Sequence, residues 1–187
     1  MWNKQYFNQS WVDMVHQIAT SYKDEPGEVE IASTGTDHYK ERGPSGNENY
    51  LQRWIPTKKH KLLLEQFNEI VFRANRDLYG YDIWYYVDTL QYTTYKSECL
   101  GEFPSHTDSF LFGKASTQKL SVVVGLTNKD EYEGGVFEIN SFKNPIQYKL
   151  TAGQVLIFPS MLSHRVTPVT KGIRQTLVTW YSGPMWR

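Results

Sequence analysis

His106, Asp108 and His164, followed by Arg174 and Thr176, are the residues of this chain whose types and spacing suit chemistry. Two imidazoles and one carboxylate leave three positions of an octahedral ion open, the pattern suited to non-haem Fe(II) and dioxygen. A 2-oxo acid can fill two of those positions and dioxygen the third. In a strand, residues i and i+2 point the same way, so an extended PSHTD would aim His106 and Asp108 at one point. His164 follows a separate apolar run, Val155 to Phe158, and the turn Pro159-Ser160; a jelly roll would bring it opposite the first pair. Mn(II), Ni(II) and Zn(II) suit the same ligands. Structural zinc does not, because the thiolates it prefers are absent.

Arg174 opens RQTLVTWY, where Arg174, Thr176, Val178 and Trp180 share one face. A guanidinium turned into a barrel needs an anion, because an unpaired buried charge is costly. A ligand carboxylate gripped bidentately would supply it. The competing reading is a surface arginine, with Leu177 and Thr179 turned inward.

Elements must position these groups. Residues 10–22 carry Trp11, Val12, Val15, Ile18, Ala19 and Tyr22 behind Ser10 as N-cap, which predicts an amphipathic helix. GEVEIAST alternates like a strand. From 35 to 57 the composition turns to Gly, Pro, Ser, Asn and charge, and the segment is read as a lid, with Tyr39, Tyr50 and Trp54 as candidate substrate contacts. Residues 58–78 predict a second helix with Leu62, Leu63, Phe67, Ile70, Val71, Ala74 and Leu78 on its apolar face, stopped by Gly80. Arg53, Lys58, Lys59 and Lys61 read as its solvated entrance. Beyond Tyr81 the chain turns to short β-branched and aromatic runs: IWYYV, TLQYTTY, KLSVVVGL, GGVFEI, IQYKL, QVLIF and RQTLVTWY. Two helices and then seven or eight strands predict a mainly β, α+β fold, closed or double-sheeted, with the helices packed on one face.

The 187 residues, 40% hydrophobic and 15% aromatic, suit one domain: 1–80 as helical support with the lid, 81–187 as β core. Twenty basic residues balance twenty acidic ones, so no global field draws nucleic acid or an anionic membrane. One cysteine, Cys99, forbids an intrachain disulfide and fits a reducing compartment. No apolar run could span a bilayer, and MWNKQYFNQSWVDMV does not read as a signal peptide. The expectation is a soluble cytoplasmic protein. His16, His38 and His60 read as surface residues and Cys99 as half-buried. Trp84, Tyr86 and Tyr181 are candidates for a substrate mouth, with strand core as the alternative. Glu133 and Arg165, which border the motifs, are candidates for touching substrate.

From about Tyr81 onward, and most strongly over 95–187, the chain resembles the 2-oxoglutarate- and Fe(II)-dependent oxygenases. The nearest likeness is to their prolyl 4-hydroxylase-like branch, including the bacterial PKHD-type hydroxylases. LQYTTY, HTD at 106–108, KLSVVVGLTNKDEYEGGVFEI and LTAGQVLIFPSMLSHRVTPVTKGIRQTLVTWYSG carry the resemblance. It implies a double-stranded β-helix (jelly roll, cupin-like) with the N-terminal helices on one sheet, and iron held by His106, Asp108 and His164. It also implies that Arg174, assisted by Thr176, binds the distal carboxylate of 2-oxoglutarate. Tyr95 would line that pocket, with Tyr92 as the alternative register and Leu120 and Leu126 as walls. Gly134-Gly135 would turn tightly beside the site. Fe(II), 2-oxoglutarate and O2 are the implied cofactors, with ascorbate an open addition. The first reading of function is a hydroxylase of a prolyl or other aminoacyl residue in a protein or peptide. The second is the same chemistry on a free amino acid, small metabolite or nucleobase, with zero net charge weighing against nucleic acid. The third is a non-catalytic cupin-like binding module.

Overall fold

Alternation along four strands sorts the side chains of this protein into two cores. The computed structural model describes residues 1–26, 29–30, 40–41, 50–84, 87–109 and 117–186. In chain order, its large sheet takes β1 (Trp2–Gln5), β2 (Glu25–Pro26), β5 (Leu51–Pro56), β6 (Thr89–Lys96), β8 (Gln118–Gly125), β12 (Gln154–Pro159) and β14 (Val169–Ser182). They lie side by side in the order β1-β12-β8-β14-β6-β5-β2, and β9 (Tyr132–Gly134) pairs with β14 off that path. A second sheet runs β11-β10-β13-β7, from Ile146–Tyr148, Phe137–Ile139, His164–Val166 and Phe103–His106 respectively. Two-residue strands β3 (Val29–Glu30) and β4 (Lys40–Glu41) pair with each other. This is a jelly-roll-like, mainly β fold with helices.

On β6, β8, β12 and β14 one set of side chains faces the helices: Leu90 and Tyr92, Leu120 and Val122, Val155 and Ile157, Leu177 and Tyr181. There they meet α1 (Gln9–Ala19) and α2 (Lys61–Ala74) through Trp11, Val12, Val15, Leu63, Phe67, Ile70 and Val71. Val123, Leu156 and Phe158 face the other way, onto Phe137, Ile139 and Val166 of the small sheet. Each fully buried side chain of this size stabilises the fold by about 1.5–3 kcal/mol. A one-residue slip would exchange the two faces, so burial on both sides pins the register.

The helices differ from expectation at their ends. Asn8, not Ser10, caps α1: its Oδ1 accepts from the Trp11 amide at 3.0 Å, and its extended backbone (φ −89°, ψ 174°) suits the role. α2 begins at Lys61 after a 3-10 turn over Thr57–Lys59, and passes into a π turn over Asn75–Tyr79 that Gly80 ends at φ +66°. Leu62 and Leu78 are exposed, because the core-facing stripe is narrower than the run of leucines. The lid reading fails for 51–56, which are strand β5, and Lys40–Glu41 are strand as well. Tyr50 directly precedes that strand and Thr57 opens the 3-10 turn, while 35–39 and 42–49, with Tyr39 and His38, lie outside the described residues. IWYYV gives no strand at its described positions; Trp84 is half exposed and its amide donates to the Ser182 carbonyl at 2.7 Å. No helix among the described residues is long and apolar enough to cross a membrane.

Candidate metal centre and co-substrate pocket

His106 ends β7 and His164 begins β13, and the antiparallel register sets them opposite each other. Asp108 is not on the strand with His106, as alternation had suggested. β7 stops at His106, and the next turn brings the carboxylate round. The amides of Asp108 and Ser109 both donate to the Ser160 carbonyl, at 3.0 and 3.1 Å, which fixes that turn. His106 Nε2 lies 3.3 Å from Asp108 Oδ1, and His164 Nε2 lies 3.5 Å from Oδ2. One ligand atom from each residue falls within 4.8 Å of the others, close enough to hold one ion.

The far nitrogens settle which face of each ring is presented. His106 Nδ1 donates to the Pro104 carbonyl and His164 Nδ1 to the Leu162 carbonyl, both at 2.9 Å. A carbonyl only accepts, so Nδ1 carries the proton and Nε2 turns a lone pair inward. Two imidazole lone pairs and a carboxylate converging on one point repel unless a cation sits between them, so these residues fit a metal. Ser121 Oγ donates to Asp108 Oδ2 at 2.5 Å and packs at 2.9 Å from Ser160 Oγ, orienting the carboxylate.

Burial alone would raise the Asp108 carboxyl. The neighbouring His106 and His164, with the Ser121 hydroxyl, outweigh it and hold the group below the ordinary carboxylate range. His164 is driven below the usual histidine value, chiefly by burial, with Asp108 opposing. A depressed histidine pKa means that the unfolded chain binds a proton first. The metal-free protein should therefore lose stability as pH falls below about 6.5, the unfolded value. Asp108 contributes above the ordinary carboxylate value of 3.8 and loses that contribution only at lower pH. Thermal melts of metal-free His164→Asn from pH 8 to 5 should show a flatter acid slope than wild type; equal slopes would refute the assignment.

The adjoining pocket runs along the inner faces of β6 and β14, past Gln91, Thr93, Tyr95, Arg174, Thr176, Val178 and Trp180. Phe103, Val123, Phe137 and Val166 close it around the two histidines. Arg174 is 2% exposed, its guanidinium carbon sits 5.1 Å from the Tyr95 ring centre, and its Nη1 has no hydrogen-bond partner. No carboxylate pairs with it among the described residues. A buried guanidinium nitrogen without a protein partner fits an anionic ligand. Burial pushes the Tyr95 hydroxyl up to about 12, with Arg174 opposing, so it stays neutral beside the guanidinium.

Gly135 (φ +57°) shapes the same end: a Cβ there would stand 2.8 Å from Arg174 Cδ and 3.0 Å from Val169 Cγ2. Gly134 and Gly135 both have positive φ (+70° and +57°) where the strand Tyr132–Gly134 ends, without the tight turn expected there. Gly135→Ala should displace the guanidinium and raise the concentration of anionic ligand needed for half-saturation by about 10-fold, some 1.4 kcal/mol. A titration of each protein with 2-oxoglutarate, followed by tryptophan fluorescence, checks this.

The structure brings together His106, Asp108, His164, Arg174, Thr176 and Tyr95. It sends others elsewhere. Tyr92 is on the opposite face, its hydroxyl 2.8 Å from His16 Nδ1. Leu120 and Leu126 belong to the helix-side core, not to the pocket, because Ser121 and Val123 take the inward positions of β8. His16 is half-buried rather than free on the surface: it bridges Tyr92 and the Leu126 carbonyl (3.2 Å). His60 meets the Tyr22 hydroxyl at 2.9 Å. Cys99 is exposed rather than half-buried. Tyr181 is core, its hydroxyl donating to Asn68. Arg165 pairs with Glu138 at 2.6 Å and Glu133 with Lys171 at 3.0 Å, so neither turns to the pocket. Arg53 pairs with Asp24 at 2.7 Å rather than standing solvated. Tyr86 lies outside the described residues. Tyr50 and Trp54 do reach the pocket's surroundings: Tyr50 packs on Tyr95 and Phe103, and the Trp54 ring lies 6.4 Å from Trp180. Sequence reasoning missed Ser121 and Ser160, whose partners lie 13 or more positions away.

Residues 90–182 match the family model described as 2OG-Fe(II) oxygenase superfamily. A PKHD-type hydroxylase of Synechococcus sp. (strain CC9311) is 39% identical over 85 residues, 46% of this chain and 38% of that protein. A PKHD-type hydroxylase of Aliarcobacter butzleri is 38% identical over 90 residues, 46% and 40% of the two chains. The chain thus spans about two fifths of the length of these relatives. Among solved structures, a prolyl-4-hydroxylase of Pseudomonas putida superposes with a TM-score of 0.66 at 14% identity, covering 98% of this chain and 92% of that one. A prolyl hydroxylase from Trichoplax adhaerens, in complex with a hypoxia inducible factor peptide fragment, gives 0.69 at 16% identity, covering 96% and 81%. At these identities the likeness is one of fold.

Proposed function

The chain belongs to the 2OG-Fe(II) oxygenase superfamily and resembles its PKHD-type hydroxylases, and from that premise we propose that it is an Fe(II)- and 2-oxoglutarate-dependent hydroxylase. One observation carries the reading: three convergent lone-pair ligands, two of them lining the same pocket as a buried guanidinium whose Nη1 lacks a partner. His106, Asp108 and His164 would hold the metal. Bound iron would supply the oxidative decarboxylation of 2-oxoglutarate by dioxygen to succinate and carbon dioxide, one oxygen atom entering succinate and the other a substrate C–H bond as hydroxyl.

The rest is the work of this chain's own side chains. Arg174 clamps the distal carboxylate of 2-oxoglutarate, and the neutral Tyr95 hydroxyl and Thr176 stand beside it as donors. Val123, Phe137 and Val166 keep water from the reacting groups, which strengthens every electrostatic contact inside. Ser121 and the Ser160 carbonyl hold Asp108 still. Our choice of prime substrate is a prolyl or other aminoacyl residue in a protein or peptide. The PKHD-type relatives and the peptide seated on the Trichoplax adhaerens enzyme support that choice. A cytoplasmic setting suits a ferrous centre and a single cysteine.

The test is anaerobic addition of Fe(II) and then 2-oxoglutarate. A visible metal-to-ligand charge-transfer band is expected, and its absence would reject the oxygenase reading in favour of an inert barrel. Succinate release over panels of prolyl peptides, free amino acids and nucleosides then identifies the substrate class. Turnover confined to the last two would overturn the peptide assignment.

A further inference from the structure

The turn that carries Asp108 is held from a second side by the segment after β14. Trp186 Nε1 donates to Ser109 Oγ at 3.2 Å, and Ser109 is 7% exposed. The indole is itself fixed. Lys119 Nζ sits 3.5 Å from its ring centre, and Tyr81 meets it edge-on at 5.3 Å and 90°. Lys119 is 5% exposed and has no carboxylate within ion-pair distance among the described residues, so the indole face, with the more distant charge of Asp82, offsets its desolvation. The strand bearing Lys119 also bears Ser121, and the Lys119 carbonyl accepts from the Ser160 amide at 3.0 Å. Gly183, whose amide donates to the Thr117 carbonyl at 2.8 Å, lies so close to the Asp82 carbonyl that a Cβ would collide with it. The path from Trp186 to the carboxylate is therefore short and made of directional contacts.

We propose that Trp186 and Ser109 are positioning residues for the metal: the indole N–H fixes Ser109, and Ser109 with the Ser160 carbonyl fixes where Asp108 presents its carboxylate. This rests on the metal reading given above. A cation over the ring withdraws electron density from the indole and makes its N–H a better donor, so Lys119 supports the same contact. Ligand-orienting partners of this kind are typically worth 10–100-fold in metal affinity. Trp186 acts through one intervening residue, so a loss of about 10-fold, the lower end of that range, is expected.

The probe is Co(II), titrated anaerobically into the full chain by visible absorption, with thermal melts of the metal-free proteins alongside. Trp186→Phe keeps the ring and the cation contact but removes the donor; Ser109→Ala removes the acceptor. Each should weaken Co(II) binding about 10-fold, and the double variant should be no worse than either single one, since all three break one contact. The melting temperatures of the metal-free variants should stay close to wild type. Wild-type affinity in both single variants overturns the proposal. So do additive losses in the double variant, or a weakening that tracks a loss of melting temperature, because those mark general packing. If the wild-type protein itself takes up no Co(II), the metal reading falls first, and that outcome is distinct from the others.

Discussion

Exchanging Arg174 for leucine is expected to raise the KM for 2-oxoglutarate by about 100-fold, the roughly 2.7 kcal/mol lost when one partner of a buried charge-assisted contact is removed. The side chain is almost wholly buried, lies against Tyr95, and keeps one nitrogen without a protein partner. A carboxylate that reached this pocket in the variant would find no countercharge and a neutral phenol as its best donor. Arg174→Lys should recover only part of the loss, since an ammonium restores charge but not the planar fork. Succinate release measured against 2-oxoglutarate concentration separates the three proteins. A KM unchanged in Arg174→Leu would remove the clamp from the mechanism.

Asp108→Ala should abolish turnover, by roughly 1,000-fold or more, because it takes away the only anion among three ligands, a change on the scale of breaking a buried ion pair. The turn itself should survive, since its amides bond to the Ser160 carbonyl rather than to the carboxylate. The variant should therefore fold, losing without metal only the stability that the carboxylate's own contacts contribute, and fail to develop the charge-transfer band under anaerobic Fe(II) and 2-oxoglutarate. A protein that folds normally, binds metal as wild type and turns over would mean that the carboxylate is not a ligand.

How far the site could be read from the chain depended on whether a strand shows one face or two. On β14 the polar and apolar positions differ in kind, so the common face of Arg174, Thr176, Val178 and Trp180 is legible, and the structure puts all four on the pocket wall. On β8 the run KLSVVVGL is buried on both faces, and such a strand carries no alternation to say which side is which. The resemblance implies Leu120 on the pocket side, nothing in the run itself speaks against that, and the structure puts Ser121 there instead. Asp108 shows a different limit: an H-x-D spacing suits both an extended strand and a strand that ends in a turn. Local pattern cannot show the bond that decides between them, from the Asp108 amide to Ser160. The pairing of Trp186 with Ser109, 77 positions apart, leaves no trace in any window of sequence.

The imidazole ligands come from the smaller sheet and the guanidinium from the larger, so the gap between the two sheets works as a caliper. Its jaws are β7 and β13 on one side and β14 on the other, and the spacer is the layer of Ile139, Leu156 and Phe158. The reach from ligand triad to guanidinium, and so the length of anion that would fit between them, is then set by side chains outside the pocket.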